Sequence, residues 1–340
     1  MTRLDTINVS IGTVGVLGLD QVPMETAPTT AYLMLGGRCA MNCAFCAQAR
    51  ESAASALKLS RVTWPAYPLP EVAEGLRGAV QRGEIKRVCI QVTAGAGAFE
   101  RTLEVVHALR RAVPDVPFNA DILPQNMEQV DALFAAGLDH IGIGLDAASA
   151  EVFASVKGAH WARMWSTIEA ISARYNGRLS AHVIVGLGET ERDVVTVLRR
   201  LHGLGVLVGL FAFTPLHGTP LSARRQPSLD SYRRMQAARY LIFVRGLTLD
   251  GARFAASGAL IDFGVPDLDI LLADGEAFRT SGCRDCNRPF YNERPGGVIY
   301  NYPRPLTTDE ARAALAQMWE SPDNPVAETD ADRHSRTAIG

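Results

Sequence analysis

Short β-branched runs alternate with longer amphipathic stretches along most of the chain. The strand-like runs fall at 30–35, 87–93, 118–122, 140–145, 179–185 and 206–213, with weaker ones at 246–250 and 269–272. Helical spacing of apolar positions predicts helices at 70–81, 99–112, 127–136, 161–175, 189–204 and 231–244. Regular strand–helix alternation predicts an α/β fold with a parallel sheet and helices outside it. Six to eight such units in about 250 residues fit a (β/α) barrel of TIM type, complete or partial, with its chemistry at the C-terminal ends of the strands. Residues 1–29 then form an N-terminal extension covering the barrel, and 30–272 the barrel itself. Residues 273–320 form a C-terminal segment with a cysteine pair, expected to fold as a lid over the barrel mouth. Its last stretch, 307–319, reads as a helix with Thr307 or Thr308 as cap and Asp309 and Glu310 in the first turn. The polar tail 321–340 lacks aromatic residues and is expected to be disordered.

Composition changes this picture little. The 340 residues are 47% hydrophobic and 21% charged, enough for one large core or two smaller ones. A net charge of −2 implies no broad attraction to nucleic acid or an anionic membrane. The sequence has no apolar run long enough to span a bilayer, and residues 1–20 do not read as a signal peptide. Six cysteines in so long a chain are no disulfide scaffold; their clustering points to metal binding in a reducing cytoplasm.

Cys39, Cys43 and Cys46 stand in Gly-Gly-Arg-Cys-Ala-Met-Asn-Cys-Ala-Phe-Cys-Ala-Gln, residues 36–48, with Phe45 just before the third. Three thiolates on one short loop can hold three irons of a [4Fe–4S] cube and leave the fourth open to a small molecule. The competing reading is a zinc site or three structural cysteines. Closed zinc sites take four protein ligands, and the next candidates, Cys89 and His107, are far along the chain.

The motif resembles the radical S-adenosylmethionine (SAM) superfamily, where the open iron chelates SAM. Further segments, from about residue 30 to 272, resemble its biotin synthase branch. Cys46-Ala47-Gln48 looks like the closing Cys-x-Gln of that branch. Ile184-Val185-Gly186-Leu187-Gly188-Glu189-Thr190 looks like its strand-five signature beside the adenine, with glycines for a tight turn and Glu189 opening the next helix. Asp146 matches its ribose-binding aspartate, although Gly144 replaces a neighbouring asparagine; a helix cap is the plainer role for Asp146. Thr93-Ala94-Gly95-Ala96 stands where relatives bind the SAM amino group. Phe213 to Leu221 resembles the strand-six segment, in which His217 faces SAM or caps the turn. The resemblance thus implies a [4Fe–4S] cluster on Cys39, Cys43 and Cys46, and SAM contacts from Phe45, Thr93, Asp146, Ile184, Gly186 and Glu189.

Cys89, Cys283 and Cys286 remain. Cys89 lies in a strand and is either a small core residue or, by the resemblance, one ligand of an auxiliary iron–sulfur cluster. Biotin synthase's other cluster cysteines are replaced here by Asn119 and Asp121 on the third strand and Ser180 and His182 on the fifth, which disfavours biotin synthase itself. The spacing Cys283-Arg-Asp-Cys286 suits an iron–sulfur cluster, zinc or a redox dithiol. Joined to Cys89, the pair makes a second three-thiolate centre, with Ser281 or His182 as a candidate fourth ligand. Arg288, Arg294 and Arg304 interleave with Phe290, Tyr291, Tyr300 and Tyr302, either as an anchored lid or as a docking surface, and Arg253 is a candidate for the cavity.

A biotin-synthase-like barrel with a rebuilt sulfur source resembles the two-component, split lipoyl synthases. That resemblance implies an octanoylated carrier protein or peptide as substrate, a sister radical SAM subunit, an electron donor, and no nucleic acid or membrane. A radical mutase, a C–C bond-forming enzyme or a hydrogenase-cofactor maturase would share the barrel without inserting sulfur. A non-catalytic iron–sulfur carrier would need no adenosine site, and a nucleic-acid-modifying enzyme would be expected to carry a basic domain.

Overall fold

The computed structural model describes residues 5–289, 291–293 and 296–320; the tail 321–340, Phe290 and Arg294 lie outside them. The chain opens with β1 (Thr6–Val9) and α1 (Ile11–Leu17), then β2 (Thr30–Leu35), the ribbon β3 (Lys58–Leu59) and β4 (Val62–Thr63), and β5 (Ala66–Pro68). Helices and strands then alternate: α2 (Leu69–Gln81), β6 (Arg87–Val92), α3 (Ala98–Ala112), β7 (Phe118–Asp121), α4 (Met127–Ala135), β8 (His140–Asp146), α5 (Ala150–Lys157), α6 (Trp161–Arg174), β9 (Leu179–Val185), α7 (Glu191–Gly203), β10 (Leu207–Ala212) and α8 (Leu229–Phe243). A ribbon β11 (Arg253–Phe254) and β12 (Leu260–Asp262), α9 (Leu268–Leu272), a 3-10 turn (Glu276–Phe278) and α10 (Thr308–Gln317) follow.

Eight strands form one sheet in the order β10-β9-β8-β7-β6-β2-β1-β5. The run from β2 to β10 is parallel, and β1 pairs antiparallel with both β2 and β5. Among the described residues β10 has no strand beyond it, so the barrel is partial and open. Alternation along the strands sorts their side chains between core and cavity. Val88 and Ile90, Phe118 and Ala120, and Ala181 and Val183 are fully buried. The alternate positions Cys89 and Gln91, Asn119 and Asp121, and Ser180 and His182 line the central cavity.

Three expectations need correction. Residues 246–250 are irregular, with Leu249 at φ 53°, and 269–272 lie in α9, so the weak seventh and eighth strands are absent. Residues 6–9 do not cover the barrel. Their alternation buries Ile7 and Val9 and seats them as a strand on the edge of β2. Glu189 does not open α7: Thr190 caps it, in a capping box with Asp193.

The C-terminal segment is not a lid over the mouth. It crosses the N-terminal ends of β2 and β6 at the floor and runs up along the free edge of β10. At the N-terminal end of the strands, Thr29 and Thr30 hydroxyls donate to Asp285 O, and Arg87 Nε donates to Arg284 O at 3.1 Å. Along β10, Leu210 N donates to Ser281 Oγ at 2.9 Å, and the Arg288 guanidinium lies 4.2 Å over the Phe211 ring. Near the mouth, Asn292 Nδ2 donates to Ala212 O at 2.7 Å. The Glu293 carboxylate accepts from Asn292, Tyr300 and Asn301 backbone N–H groups, which folds the segment back on itself. Tyr300 and Tyr302 are buried and Arg304 pairs with Glu310, so these residues of the suggested docking surface turn inward or pair locally.

Candidate active site

The loop after β2 starts at Gly36, whose φ of 96° and missing side chain leave room for the Thr93 hydroxyl. With almost no regular structure, the loop is held by specific bonds. Cys39 N donates to Gln48 O at 2.7 Å, Ala40 N to Ala94 O at 2.7 Å and Ala44 N to Val156 O at 2.8 Å. The Arg38 guanidinium donates to Ala47 O and Ala54 O, and the Gln48 amide donates to Ala56 O and Lys58 O. Cys39, Cys43 and Cys46 border one cavity of about 320 Å³. Met41 N and Gln48 N donate to Cys39 Sγ and Cys46 Sγ, each at 3.4 Å. Burial pushes the Cys43 thiol up to about 12 and the Cys46 thiol up to about 11. Both therefore stay protonated until a metal centre displaces the proton.

The same cavity reaches the second cysteine set. Cys89 is in register with Tyr32 of β2 and Asn119 of β7, near the N-terminal end of the sheet. Cys283 and Cys286 reach it from the C-terminal segment, and all three border the cavity. Asn119 Nδ2 donates to Cys283 Sγ at 2.9 Å, Gln91 Nε2 to Cys89 Sγ at 3.3 Å, and the Tyr32 hydroxyl lies 3.3 Å from Cys286 Sγ. Ser281 instead accepts from β10, and His182 sits 3.6 Å from Asp121. Among the described residues no three Cys, His, Asp or Glu side chains converge as ligands of a single ion. Neither set is therefore built as a closed zinc site.

Of the residues expected to contact SAM, Phe45, Asp146 and Ile184 border the cavity with the cysteines. Asp146 ends β8 in a left-handed conformation, φ 65°, after a bulge. It does not cap α5, which Ser149 does. The structure adds a residue that sequence reasoning missed: Lys157 Nζ lies 2.5 Å from Asp146 Oδ2 and also donates to Gly144 O. Burial opposes its charge, but Asp146 and then Cys43 outweigh it and raise the ammonium above its usual value. Thr93 does not border the cavity and bonds Leu35 O. Gly186 and Glu189 border a separate cavity of about 170 Å³. There Glu189 accepts from Gly186 N at 2.6 Å, which ties the glycine turn, while its Oε2 is buried without a partner among the described residues. His217 is exposed at its turn. Arg253 does not border the cavity and pairs with Asp262 on the β11–β12 ribbon.

Gln91, Asp121 and His182 form a polar band on the cavity wall, with Gln91 and His182 both against the Asp121 carboxylate. The signal for them was present: each is a polar residue at an inward, alternate position of an otherwise apolar strand. A side chain at Gly142 would collide with Asp121, so that glycine makes room for the band.

Residues 33–201 match the family model of the radical SAM superfamily. The chain belongs to the radical SAM superfamily. Among curated proteins, biotin synthase of Desulforudis audaxviator is 32% identical over 226 residues, 64% of this chain and 65% of that protein. Biotin synthase of Thermus thermophilus is 29% identical over 197 residues, 56% of each chain. The matches thus span less than two thirds of these relatives. Among solved structures, a maturase of the [FeFe]-hydrogenase aligns with a TM-score of 0.53 at 12% identity, over 63% of this chain and 50% of that one. Methylornithine synthase aligns with a TM-score of 0.50 at 14% identity, over 63% and 61%. At such identities the likeness is one of fold.

Membership of the radical SAM superfamily implies a [4Fe–4S] cluster and SAM. The residues present fit both. The thiols of the first loop border an open cavity, two of their sulfurs already accept backbone N–H groups, and a charged pair, Lys157 with Asp146, stands beside them. At the other end, the Trp64 indole N–H is buried without a partner among the described residues, and the ring borders the cavity.

Proposed function

We propose that this radical SAM protein inserts sulfur into an alkyl chain held between its two cysteine sets. The single observation that carries the reading is that Cys39, Cys43 and Cys46 and Cys89, Cys283 and Cys286 open on one cavity from opposite ends. When bound, a [4Fe–4S] cluster with SAM supplies a 5′-deoxyadenosyl radical that takes hydrogen from unactivated carbon, and an auxiliary cluster supplies sulfur. The residues of the chain do the rest. Cys39, Cys43 and Cys46 hold the first cluster, and Lys157 and Asp146 receive the charged and hydroxyl-bearing parts of SAM, with Phe45 and Ile184 against its apolar surface. Met41, Leu59, Leu123, Met164 and Leu216 add apolar side chains to the cavity lining, which suits an acyl chain. Cys89, Cys283 and Cys286 hold the auxiliary cluster.

The substrate that fits best is an octanoyl chain on a carrier protein or peptide, as in the split lipoyl synthases, with a sister subunit and an electron donor as partners. With octanoyl-peptide deuterated on its chain, reduced, iron-loaded protein is expected to yield deuterated 5′-deoxyadenosine and a thiolated peptide. Deuterium transfer without thiolation would reject sulfur insertion. That outcome would favour a second reading, a radical mutase, C–C bond-forming enzyme or maturase on the same barrel. The polar band of Gln91, Asp121 and His182 favours this second reading, because a bare alkyl chain needs no such partners.

Lys157→Met removes a charged partner of the bound cofactor and leaves Asp146 unpaired. A charge-assisted hydrogen bond contributes about 1.5–3 kcal/mol, so SAM is expected to bind roughly 10- to 100-fold more weakly. Equilibrium dialysis with labelled SAM measures this, and an unchanged affinity would remove Lys157 from the site.

A further inference from the structure

Each sulfur of the second cysteine set meets a donor, and the donors to Cys283 and Cys286 are backed by arginines. Cys89 receives the Gln91 amide, and Cys283 the Asn119 amide, whose oxygen in turn accepts from the Arg87 guanidinium. Cys286 meets the Tyr32 hydroxyl at 3.3 Å and Arg288 Nη1 at 3.6 Å. The Tyr32 oxygen accepts Arg288 N at 3.1 Å, which leaves its proton for the sulfur. Arg288 holds this place in a left-handed conformation, φ 33°. Arg239 of α8 lies close enough to feel both Arg288 and Cys283; burial first, and then Arg288, lowers its guanidinium to about 10. Its Nε is buried without a partner among the described residues.

The charge count is one-sided. Arg87, Arg239 and Arg288 have no carboxylate within ion-pair distance among the described residues. Two carboxylates stand at this end: Asp121, 3.5 Å from Cys89 Sγ and already engaged by Gln91 and His182, and Asp285, which faces its own cation, Lys86, at 4.0 Å. The first cysteine loop differs. Two of its sulfurs accept backbone N–H groups, and its nearby cation, Lys157, is neutralised by Asp146. Net charge and hydrogen bonds to sulfur set the reduction potential of an iron–sulfur centre. Guanidiniums without counter-ions stabilise the more negative, reduced state.

We infer that Tyr32, Asn119 and Arg288, backed by Arg87 and Arg239, are positioning residues that hold the Cys89–Cys283–Cys286 centre at a higher reduction potential than the Cys39–Cys43–Cys46 centre. The inference rests on the auxiliary-cluster reading above and says what that centre is for. Joining a carbon radical to a sulfide forms one C–S bond and leaves one electron over, so a sulfur source must also accept an electron. A cationic floor suits that role. A lone electron carrier feeding SAM cleavage would need the opposite order.

The test is a redox titration of the anaerobically reconstituted full chain, followed by electron paramagnetic resonance. Two reduction waves are expected. Cys283→Ala/Cys286→Ala should delete the one at higher potential and lower the iron content from about eight to about four per chain, as for two four-iron clusters and one. Tyr32→Phe, which removes one hydroxyl, and Arg288→Met should each move the higher wave down and leave the lower wave and the iron content unchanged. If the double cysteine variant keeps its full iron, the auxiliary cluster itself is wrong and the inference falls with it. If the iron halves but the lost wave is the lower one, or neither substitution moves it, the cluster stands and the inference alone is overturned.

Discussion

Cys43→Ala protein, reconstituted with iron and sulfide and reduced, is expected to make no 5′-deoxyadenosine above the background of iron-free protein. Cys43 is the middle thiol of the loop, partly buried beside Lys157 and Asp146. Losing it leaves two sulfurs to hold a cube that needs three corners fixed if the fourth is to stay open to SAM. Losing an outer partner of a metal ligand already costs about 10- to 100-fold, so loss of a ligand itself should exceed that range. The loop backbone should survive, because Arg38, Gln48 and the bonds to Ala94 and Val156 hold it without this side chain. Chromatographic assay of 5′-deoxyadenosine reads the outcome, and persistent product would reject the assignment of the first cluster to this loop.

Arg234→Met is expected to destabilise the fold by about 3–5 kcal/mol, the range for breaking a buried ion pair from one side. Arg234 is 5% exposed and sits between Glu191, 8% exposed, and Asp230, 9% exposed. It donates to both carboxylates and to Met318 O at 2.6 Å, and Glu191 also accepts Leu260 N at 2.6 Å. One guanidinium thus ties α7, α8, the β11–β12 ribbon and the end of α10. Methionine matches the volume but leaves two buried carboxylates unpaired. Such a change is a large part of the roughly 5–15 kcal/mol that holds a domain together. A lowered urea midpoint at an unchanged slope would confirm it; a midpoint equal to that of the wild type would show that water reaches the carboxylates.

The barrel strands were legible because each is a short β-branched run buried beneath helices. The predicted runs 30–35 and 179–185 coincide with β2 and β9, and the other barrel strands differ by a residue or two at their ends. The run 269–272 misled, since four apolar or acidic residues carry too little period to separate strand from helix, and Asp267 and the turn before it start α9 instead. At the site, the first cysteine loop was plain from local spacing. Lys157 was not, because its partner Asp146 lies 11 positions away across a helix. Gln91, Asp121 and His182 were half legible: alternation marks them as inward, and only the assembled sheet makes them neighbours.

From the sequence alone came what is local: strand and helix periods, the glycine turn before Glu189, and three thiols within one loop turn. Such features depend on a few neighbouring residues and on backbone geometry. Tertiary structure alone decided that the C-terminal segment crosses the N-terminal ends of β2 and β6 and runs up along β10, and therefore that the cysteines at 283 and 286 approach Cys89 from below. That choice rests on bonds between distant parts of the chain, Arg87 with Arg284 O across 197 positions and Asn119 with Cys283 across 164. It rests as well on an unpaired strand edge that some other part of the chain had to cover.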